Sequence, residues 1–401
     1  MKSSVFKFCL LACIPFFNVA CSTQEKLLDK EFLIEGKISG IEDGTVFALV
    51  RWDGNVGSSI AYDTVRSGRF SFKEEALSNP ERMTISPQGD GFPSLSLFVW
   101  VAPGIKVKIK GKGKMHPLWE VKSSVPYQKE ENRYTDKNRN LIAEIAHIST
   151  ERNAVFPKIM AASSREEALP YMKIVDSLDV ISDSLWVIQC VTDVDIMEKT
   201  DISPIWIDKL MHVSYKVKKI EPNDEYLGIL RRKTENLYAK MSEEEKNTPL
   251  GYHITATLFP PPTFGVGDDM PDTDFFDITG NTKHLSDYSG KYLLLDFWSS
   301  GCGPCIMSIP EMKEIAEAYD ENLTIISISL DTDTRWKKAL ATHDMPWVNI
   351  RDPKGYGGLA ANYGVNGIPH YVLISPENII VDIWGGFGQG NLKRKVGENV
   401  K

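Results

Sequence analysis

The strongest constraint on the fold is an apolar run of strand length that leads into two closely spaced cysteines. Residues 291–298 are mostly apolar, and three small residues later the chain continues as Cys302-Gly303-Pro304-Cys305. Such a run is typical of a strand that is buried on both faces of a sheet. Apolar residues then recur at the spacing of a helix, at Ile306, Ile309, Met312, Ile315, Ala316 and Tyr319. The pattern predicts an α/β unit in which a strand passes into a helix, with Cys302 at the helix N-terminus and Cys305 one turn further on.

The position of the cysteine pair predicts disulfide-exchange chemistry. The attacking species in such an exchange is a thiolate, and the free N–H groups and positive dipole end of a helix N-terminus stabilise it. A thiol pKa lowered from ~8.5 towards ~7 is typical of a site of this kind. We therefore expect Cys302 to be the nucleophile and the more shielded Cys305 to be the resolving thiol.

Two other kinds of site share this cysteine spacing. A structural zinc site would need two further ligands, usually a second cysteine pair or two closely spaced histidines. His343 and His370 are isolated in the sequence and there is no second CxxC motif, so we predict no metal. A buried structural disulfide is the remaining alternative.

The chain ahead of this unit predicts two further regions. Its length of 401 residues suits two or three domains. In residues 32–113, short alternating apolar runs separated by glycine indicate antiparallel strands, and hence a small β-sandwich or barrel. In residues 115–257, apolar residues at helical spacing indicate several amphipathic helices, with the examples Leu141, Ile145 and Ile148; Met172, Val175 and Leu178; and Trp206, Leu210 and Val213. We expect these apolar faces to pack in a core, and a partner-binding surface is the alternative.

Charge and proline content add two limits. The formal net charge of −8 disfavours a nucleic-acid partner, because phosphate contacts need a basic face. Three consecutive prolines at residues 260–262 cannot continue a helix and favour an extended connector. We expect a new domain to begin near residue 263.

The first twenty residues resemble an export signal. Two lysines precede a short apolar run over residues 8–17, which is too short to span a bilayer. Small residues then precede Cys21, similar to the lipobox of bacterial lipoproteins, in which the cysteine becomes the lipidated N-terminus. We expect a signal peptide over residues 1–20 and a lipid anchor on Cys21. A secretory signal without a lipid anchor and cleavage before Cys13 are the alternatives.

If Cys21 carries the lipid and the signal peptide is removed, Cys190 is the one remaining thiol outside the Cys302–Cys305 pair. We expect Cys190 to be buried.

The motifs of residues 263–401 together resemble the thioredoxin fold. They are Asp296-Phe297-Trp298, the Cys302–Cys305 motif and Val365-Asn366-Gly367-Ile368-Pro369, accompanied by the segments at 285–291 and 327–331. This combination is similar to the envelope-anchored thiol-disulfide oxidoreductases of the TlpA/ResA-like branch. In its layout, the preceding β-rich region resembles a domain of unassigned role that stands ahead of thioredoxin modules in some bacterial envelope lipoproteins.

The resemblance implies roles for four further residues. Pro369 matches the family's cis-proline, so that the Ile368–Pro369 bond would be cis, and the backbone at Ile368 would pair with the substrate as an added strand. Asp296 matches a buried acid whose raised pKa would let it take the proton of Cys305. A strand-end aspartate that faces water is the alternative. Trp298 is expected to pack beside the active site and to contribute to the substrate-binding surface.

The sequence also departs from the family pattern. Gly301 stands where many relatives have a tryptophan directly before the first cysteine, and Ser308 stands where the branch often has a glutamate. His370 follows the cis-proline in place of the usual threonine, and we expect it to be exposed, with a position near the sulfurs as the alternative. Pro310 is expected to kink the helix. Leu295 and Ser299 replace the proline and threonine of the peroxiredoxin signature, which disfavours peroxide reduction.

These observations predict a multidomain, periplasm-facing envelope lipoprotein with a redox-active disulfide at Cys302 and Cys305 and no cofactor. Gly-Pro is the dipeptide between the cysteines of thioredoxin, which has a reduction potential of about −270 mV. We therefore expect a reductant of protein disulfides whose cysteine pair is reduced again by a thiol-reducing electron donor in the membrane. The oxidase or isomerase direction, and a binding lipoprotein whose N-terminal region carries the function, are the alternatives.

Overall fold

The protein is described by a computed structural model that covers residues 29–54, 56–218, 225 and 227–400. The predicted signal peptide and the predicted lipid anchor at Cys21 lie outside the described residues.

The N-terminal region is a β-sandwich. Apolar side chains at alternate positions of its strands point into one shared core, in which Ile34, Phe47, Met83 and Val107 are fully buried. The two sheets have the strand orders β4-β1-β7-β8 and β3-β2-β5-β6. The strands are β1 (Glu31–Ser39), β2 (Val46–Asp53), β3 (Val56–Thr64), β4 (Arg69–Glu75), β5 (Glu81–Pro87), β6 (Leu97–Val101), β7 (Lys106–Lys112) and β8 (Glu120–Lys122).

Two features of the sandwich differ from the sequence-based expectation. Strands β1 and β7 pair in parallel rather than antiparallel, because a long crossover through the second sheet separates them. The β-structure also continues beyond residue 113, through a 3-10 turn at His116–Leu118 to β8. It continues because Trp119 packs into the sandwich core and β8 pairs with β7.

The middle region is helical, as predicted. Trp206, Leu210 and Val213 are fully buried in its core, whereas Met172 is exposed, so the apolar spacing around Met172 overestimates packing there. Cys190 is buried, as expected. The last helix ends directly before the proline-containing connector. The helices are α1 (Pro126–Lys137), α2 (Arg139–Ala161), α3 (Arg165–Met197), α4 (Pro204–Val217), α5 (Leu227–Ala239), α6 (Glu243–Lys246) and α7 (Pro249–Leu258).

The C-terminal region is a thioredoxin-like α/β domain with strand order β10-β9-β13-β12-β11-β14-β15. Its strands are β9 (Phe275–Phe276), β10 (Thr282–Lys283), β11 (Tyr292–Trp298), β12 (Leu323–Ser329), β13 (Val348–Arg351), β14 (His370–Ile374) and β15 (Ile380–Gly385). Its helices are α8 (Gly303–Ala318), α9 (Asp333–Thr342), α10 (Leu359–Asn362) and α11 (Asn391–Asn399), with 3-10 turns at Leu285–Tyr288 and Gly355–Gly357.

The central strand β11 explains the layered packing of this domain. Its apolar side chains alternate between the two sheet faces: Leu293 and Leu295 pack against Leu359 of α10, and Leu294 packs against Met312 and other side chains on the opposite face. Strand β11 pairs in parallel with β12 and antiparallel with β14. This placement confirms the prediction of a strand that is buried on both faces.

The three regions meet close to the N-terminus of α8. The Thr332 hydroxyl donates a hydrogen bond to Oδ1 of Asp53 at 3.0 Å, which joins the C-terminal domain to the sandwich. The rings of His253 and Tyr356 stack with centroids 5.3 Å apart, which joins α7 to the C-terminal domain. The cysteine pair therefore lies where all three regions converge.

Within the described ranges, no helix is both long and apolar enough to cross a membrane.

Candidate active site

The cysteine pair lies at the junction of β11 and α8. Cys302 is the N-cap residue of α8, and Gly303 and Pro304 form the first helical positions. The backbone N–H of Cys305 donates a hydrogen bond to Sγ of Cys302 at 3.2 Å. Proline suits position 304, because an N–H group in the first turn of a helix has no acceptor within the helix and proline lacks that group. When the pair is reduced, the same N–H and the helix dipole favour the thiolate of Cys302.

Cys302 and Cys305 form a disulfide with Cα atoms 5.2 Å apart. Their accessibility differs: Cys302 is half-buried, whereas Cys305 is 3% exposed and packs in the core below it. An incoming sulfur can therefore reach Cys302 and not Cys305.

Asp296 is a buried acid on the central strand. It is 2% exposed, and burial raises its pKa to about 7. The Ser327 hydroxyl donates a hydrogen bond to Oδ2 of Asp296 at 2.8 Å, and the same hydroxyl oxygen accepts one from Nε1 of Trp347 at 2.8 Å. Oδ1 of Asp296 has no hydrogen-bond partner among the described residues. The burial excludes the alternative of a strand-end aspartate that faces water, and the direction of the pKa shift is the one expected.

Trp298 supports the site from below. It is 1% exposed and belongs to an apolar cluster that includes Cys305, Ile309 and Trp336. The predicted contribution of Trp298 to the substrate-binding surface does not fit this burial, because no face of the ring is accessible. Its packing beside the active site agrees with the sequence-based expectation.

The Ile368–Pro369 peptide bond is cis, as the resemblance implies. Ile368 lines the same cleft as Cys302, whereas Pro369 is buried. The residue proposed for backbone pairing with substrate and the accessible cysteine therefore face one space.

Comparison with known proteins identifies relatives of this chain. Residues 266–383 match the AhpC/TSA family. The thiol-disulfide oxidoreductase ResA of Bacillus thuringiensis is 30% identical over 118 residues, which cover 29% of this chain and 67% of that protein. The chain belongs to the thioredoxin-like thiol-disulfide oxidoreductases.

Two further relatives cover a similar share of this oxidoreductase. The thioredoxin-like protein YneN of Bacillus subtilis is 27% identical over 124 residues, which cover 30% of this chain and 71% of that protein. A solved thioredoxin domain of a thiol-disulfide oxidoreductase from Bacteroides vulgatus is 30% identical, with a TM-score of 0.32. It is covered in full, and the match spans 35% of this chain.

His370 occupies the position after the cis-proline in this oxidoreductase, and it is half-buried rather than exposed. Its ring meets the edge of Phe297 at a centroid distance of 6.2 Å. Nε2 is buried with no partner among the described residues, and burial lowers the pKa of His370. The expectation of an exposed histidine is wrong, because β14 packs directly beside the central strand.

Three residues after the second cysteine, where the branch often has a glutamate, this chain has Ser308. Ser308 is fully buried. Its hydroxyl donates a hydrogen bond to the carbonyl oxygen of Cys305 at 2.7 Å. The next acid on α8, Glu311, accepts hydrogen bonds from the N–H groups of Gly390 and Lys393 at the start of α11. Glu311 therefore stabilises a neighbouring helix. Asp296 remains the buried acid on the strand that leads to the cysteine pair.

A cleft of about 920 Å³ opens above Cys302, and all three regions line it. Its walls include residues outside the cysteine motif and the cis-proline segment, among them Trp52, Val56, Leu250 and Tyr356. No local motif marks these residues. The one signal in the sequence was Gly301, where the family pattern places a large side chain and this chain has none.

Proposed function

We propose that this oxidoreductase reduces disulfides of proteins in the bacterial cell envelope, with Cys302 as the nucleophile and Cys305 as the resolving thiol. The observation that carries the proposal is the difference in accessibility between the two sulfurs. Cys302 lines the open cleft, whereas Cys305 is 3% exposed. A substrate sulfur can reach only the first, and the second is held where it can attack a mixed disulfide from inside.

The reaction consists of two exchanges. The Cys302 thiolate attacks one sulfur of the substrate disulfide, forms a mixed disulfide, and releases the other substrate sulfur as a thiolate, which takes up a proton. The Cys305 thiolate then attacks Sγ of Cys302, forms the Cys302–Cys305 disulfide and releases the second substrate sulfur. Two electrons pass from the cysteine pair to the substrate, and the two thiol protons of the pair are transferred to the substrate sulfurs.

Asp296 is suited to the proton transfer in the second exchange. Cys305 must lose its proton before it attacks, and a carboxylate with a pKa of about 7 can accept a proton near neutral pH. The free Oδ1 is an acceptor without another donor among the described residues. In this proposal Asp296 accepts the proton of Cys305.

The electron donor and the location belong to the same proposal. After each turnover the pair is a disulfide, so a dithiol donor at the membrane must reduce it. We propose that the chain is exported by its first twenty residues, anchored through lipid on Cys21, and faces the periplasm. Its Gly-Pro dipeptide supports the reducing direction.

Substitution of the resolving cysteine tests the assignment of roles. Cys305→Ala should accumulate a mixed disulfide with substrate proteins through Cys302, detected as a higher-mass species on non-reducing gels that disappears on reduction. The matched variant Cys302→Ala should form no adduct. If the adduct forms only in Cys302→Ala, the roles are reversed.

The redox potential of the pair separates the two directions. A reduction potential of about −270 mV, like that of thioredoxin, supports a reductase, whereas one of about −120 mV, like that of DsbA, indicates an oxidase. Normal reduction of insulin by a Cys302→Ser/Cys305→Ser double variant would exclude the catalytic proposal altogether. It would favour a function carried by the N-terminal region.

A further inference from the structure

The hairpin formed by β2 and β3 reaches across the molecule to the active-site loop. Val56, the first residue of β3, contacts Gly301 so closely that a Cβ atom placed on Gly301 would overlap its side chain, with Cγ2 at 2.8 Å. A side chain at position 301 is therefore incompatible with the hairpin in this position. Gly301 directly precedes the nucleophilic cysteine, so the contact lies one residue from the chemistry.

Several interactions hold the hairpin in this position. Asp53, the last residue of β2, accepts a hydrogen bond from the Thr332 hydroxyl at 3.0 Å. Ser58 lies 3.4 Å from Nη1 of Arg335 on α9. On the hairpin itself, the Trp52 indole N–H donates a hydrogen bond to Oγ1 of Thr84 at 3.0 Å, which fixes the orientation of the ring. The hairpin end is thus tied to both the sandwich and the C-terminal domain.

The hairpin forms one wall of the cleft that contains Cys302. Val56 and Trp52 lie on one side of this cleft, and Ile368 and Leu330 of the C-terminal domain also line it. Trp52 is 44% exposed, so its ring offers an apolar surface to a bound chain. A single extended chain can pair with a neighbouring strand at a distance of only about 4.8 Å, so it fits into a narrow cleft. A disulfide inside a folded domain brings bulky flanking structure with it.

We propose that Val56, at the start of β3, selects the substrate: it restricts Cys302 to disulfides on flexible, extended polypeptide segments and hinders those held in folded domains. The inference rests on the proposed reductase function and adds a specificity-determining residue from outside the thioredoxin-like domain. It also accounts for Gly301, because the hairpin takes the place that a side chain at that position would fill.

Two substrates of different shape test this selection in the full chain. The kcat/KM is measured with insulin, whose disulfides lie in a folded protein, and with a short unstructured peptide closed by one disulfide. Val56→Ala removes both methyl groups that face Gly301. A change of one or two methyl groups in a pocket wall alters the discrimination between two substrates by about tenfold. The ratio of kcat/KM for insulin to kcat/KM for the peptide should therefore rise about tenfold. The matched control is Val180→Ala on an exposed face of α3, which should leave the ratio as in the wild type.

A double-mutant cycle tests the contact itself. Gly301→Ala should displace the hairpin and raise the insulin-to-peptide ratio. The same substitution in the Val56→Ala background should add little, because the overlapping methyl groups are gone. Additive effects would show that the contact is absent in solution.

The outcomes separate this inference from the function on which it rests. A wild type that reduces neither substrate refutes the reductase. A wild type that reduces both, with a Val56→Ala ratio equal to that of Val180→Ala, overturns only the role of the hairpin.

Discussion

The thioredoxin-like domain and the helical region each combine a cysteine with a buried aspartate, but they place the cysteine differently. Cys302 caps the N-terminus of α8, and its sulfur accepts a hydrogen bond from the backbone N–H of Cys305. Cys190 lies inside α3, fully buried, near Asp193, and burial raises its pKa to about 12. Burial also raises the pKa of Asp193, as it does for Asp296. Each carboxylate has one oxygen without a hydrogen-bond partner among the described residues.

The two sites differ in the surroundings of the thiol, although each region also contains a buried acid. At Cys302 a helix N-terminus stabilises the thiolate and a cleft admits a second sulfur. At Cys190 the helix interior provides no free N–H group, since each is used within the helix, and the packing leaves no path for a reactant. Reactivity therefore depends on where the thiol lies along its helix and on access to it.

The largest expected difference between the two cysteines is in activity. Cys302→Ser should reduce disulfide reduction to background, because serine cannot form the mixed disulfide. Cys190→Ala should leave the rate within about twofold, since a change that is distant from the site and affects only packing leaves transition-state contacts intact. Insulin turbidity assays on both variants check this. An inactive but folded Cys190→Ala protein would mean that the helical region takes part in the chemistry.

The second difference concerns the two aspartates and pH. Asp296 has a folded-state pKa of about 7 against its ordinary 3.8, so the stability that its proton provides is complete below pH ~4 and is lost as pH rises through about 7. Asp296→Asn removes that loss and should raise the free energy of unfolding at pH 8 by roughly 2–4 kcal/mol relative to the wild type. The gain should shrink towards pH 5. Urea unfolding at the two pH values measures it.

Asp193→Asn is the matched variant for this measurement. Its stability change should have the same sign, because burial also raises the pKa of Asp193, but its rate of disulfide reduction should equal that of the wild type. Asp296→Asn should also slow the resolving exchange. A stability gain for Asp296→Asn that is the same at pH 5 and pH 8 would contradict the raised pKa.

The smallest expected effect concerns Glu311, which supports the domain without entering the chemistry. Its carboxylate accepts hydrogen bonds from the backbone N–H groups of Gly390 and Lys393 at 3.0 and 2.8 Å. Glu311→Ala should lower the free energy of unfolding by about 1 kcal/mol, as the loss of a helix cap does, with no change in disulfide reduction. The control is Glu314→Ala, which breaks only an exposed ion pair with Lys393 and should cost less than about 0.5 kcal/mol. Equal losses would show that Glu311 does not act as a cap.

The sequence predicted the local structure around the cysteine pair better than the arrangement of the regions. The strand that ends at Trp298 and the helix that starts after Cys302 are as expected, because apolar periodicity and capping act over a few residues. The exposure of Met172, the burial of His370 and the parallel pairing of β1 with β7 were not predicted, since each depends on a partner that is distant in the sequence. Asp296 lies between these cases: its identity came from a family resemblance, and its pKa from burial in three dimensions.

By itself, the sequence determined the chemistry, because two thiols at the start of a helix acquire their reactivity from backbone geometry within a single turn. Only the tertiary structure decided what can reach them. The wall beside Cys302 comes from a hairpin whose hydrogen bond to Thr332 joins residues 279 positions apart. A contact of that range depends on how three regions pack together, and no local pattern of residues encodes it.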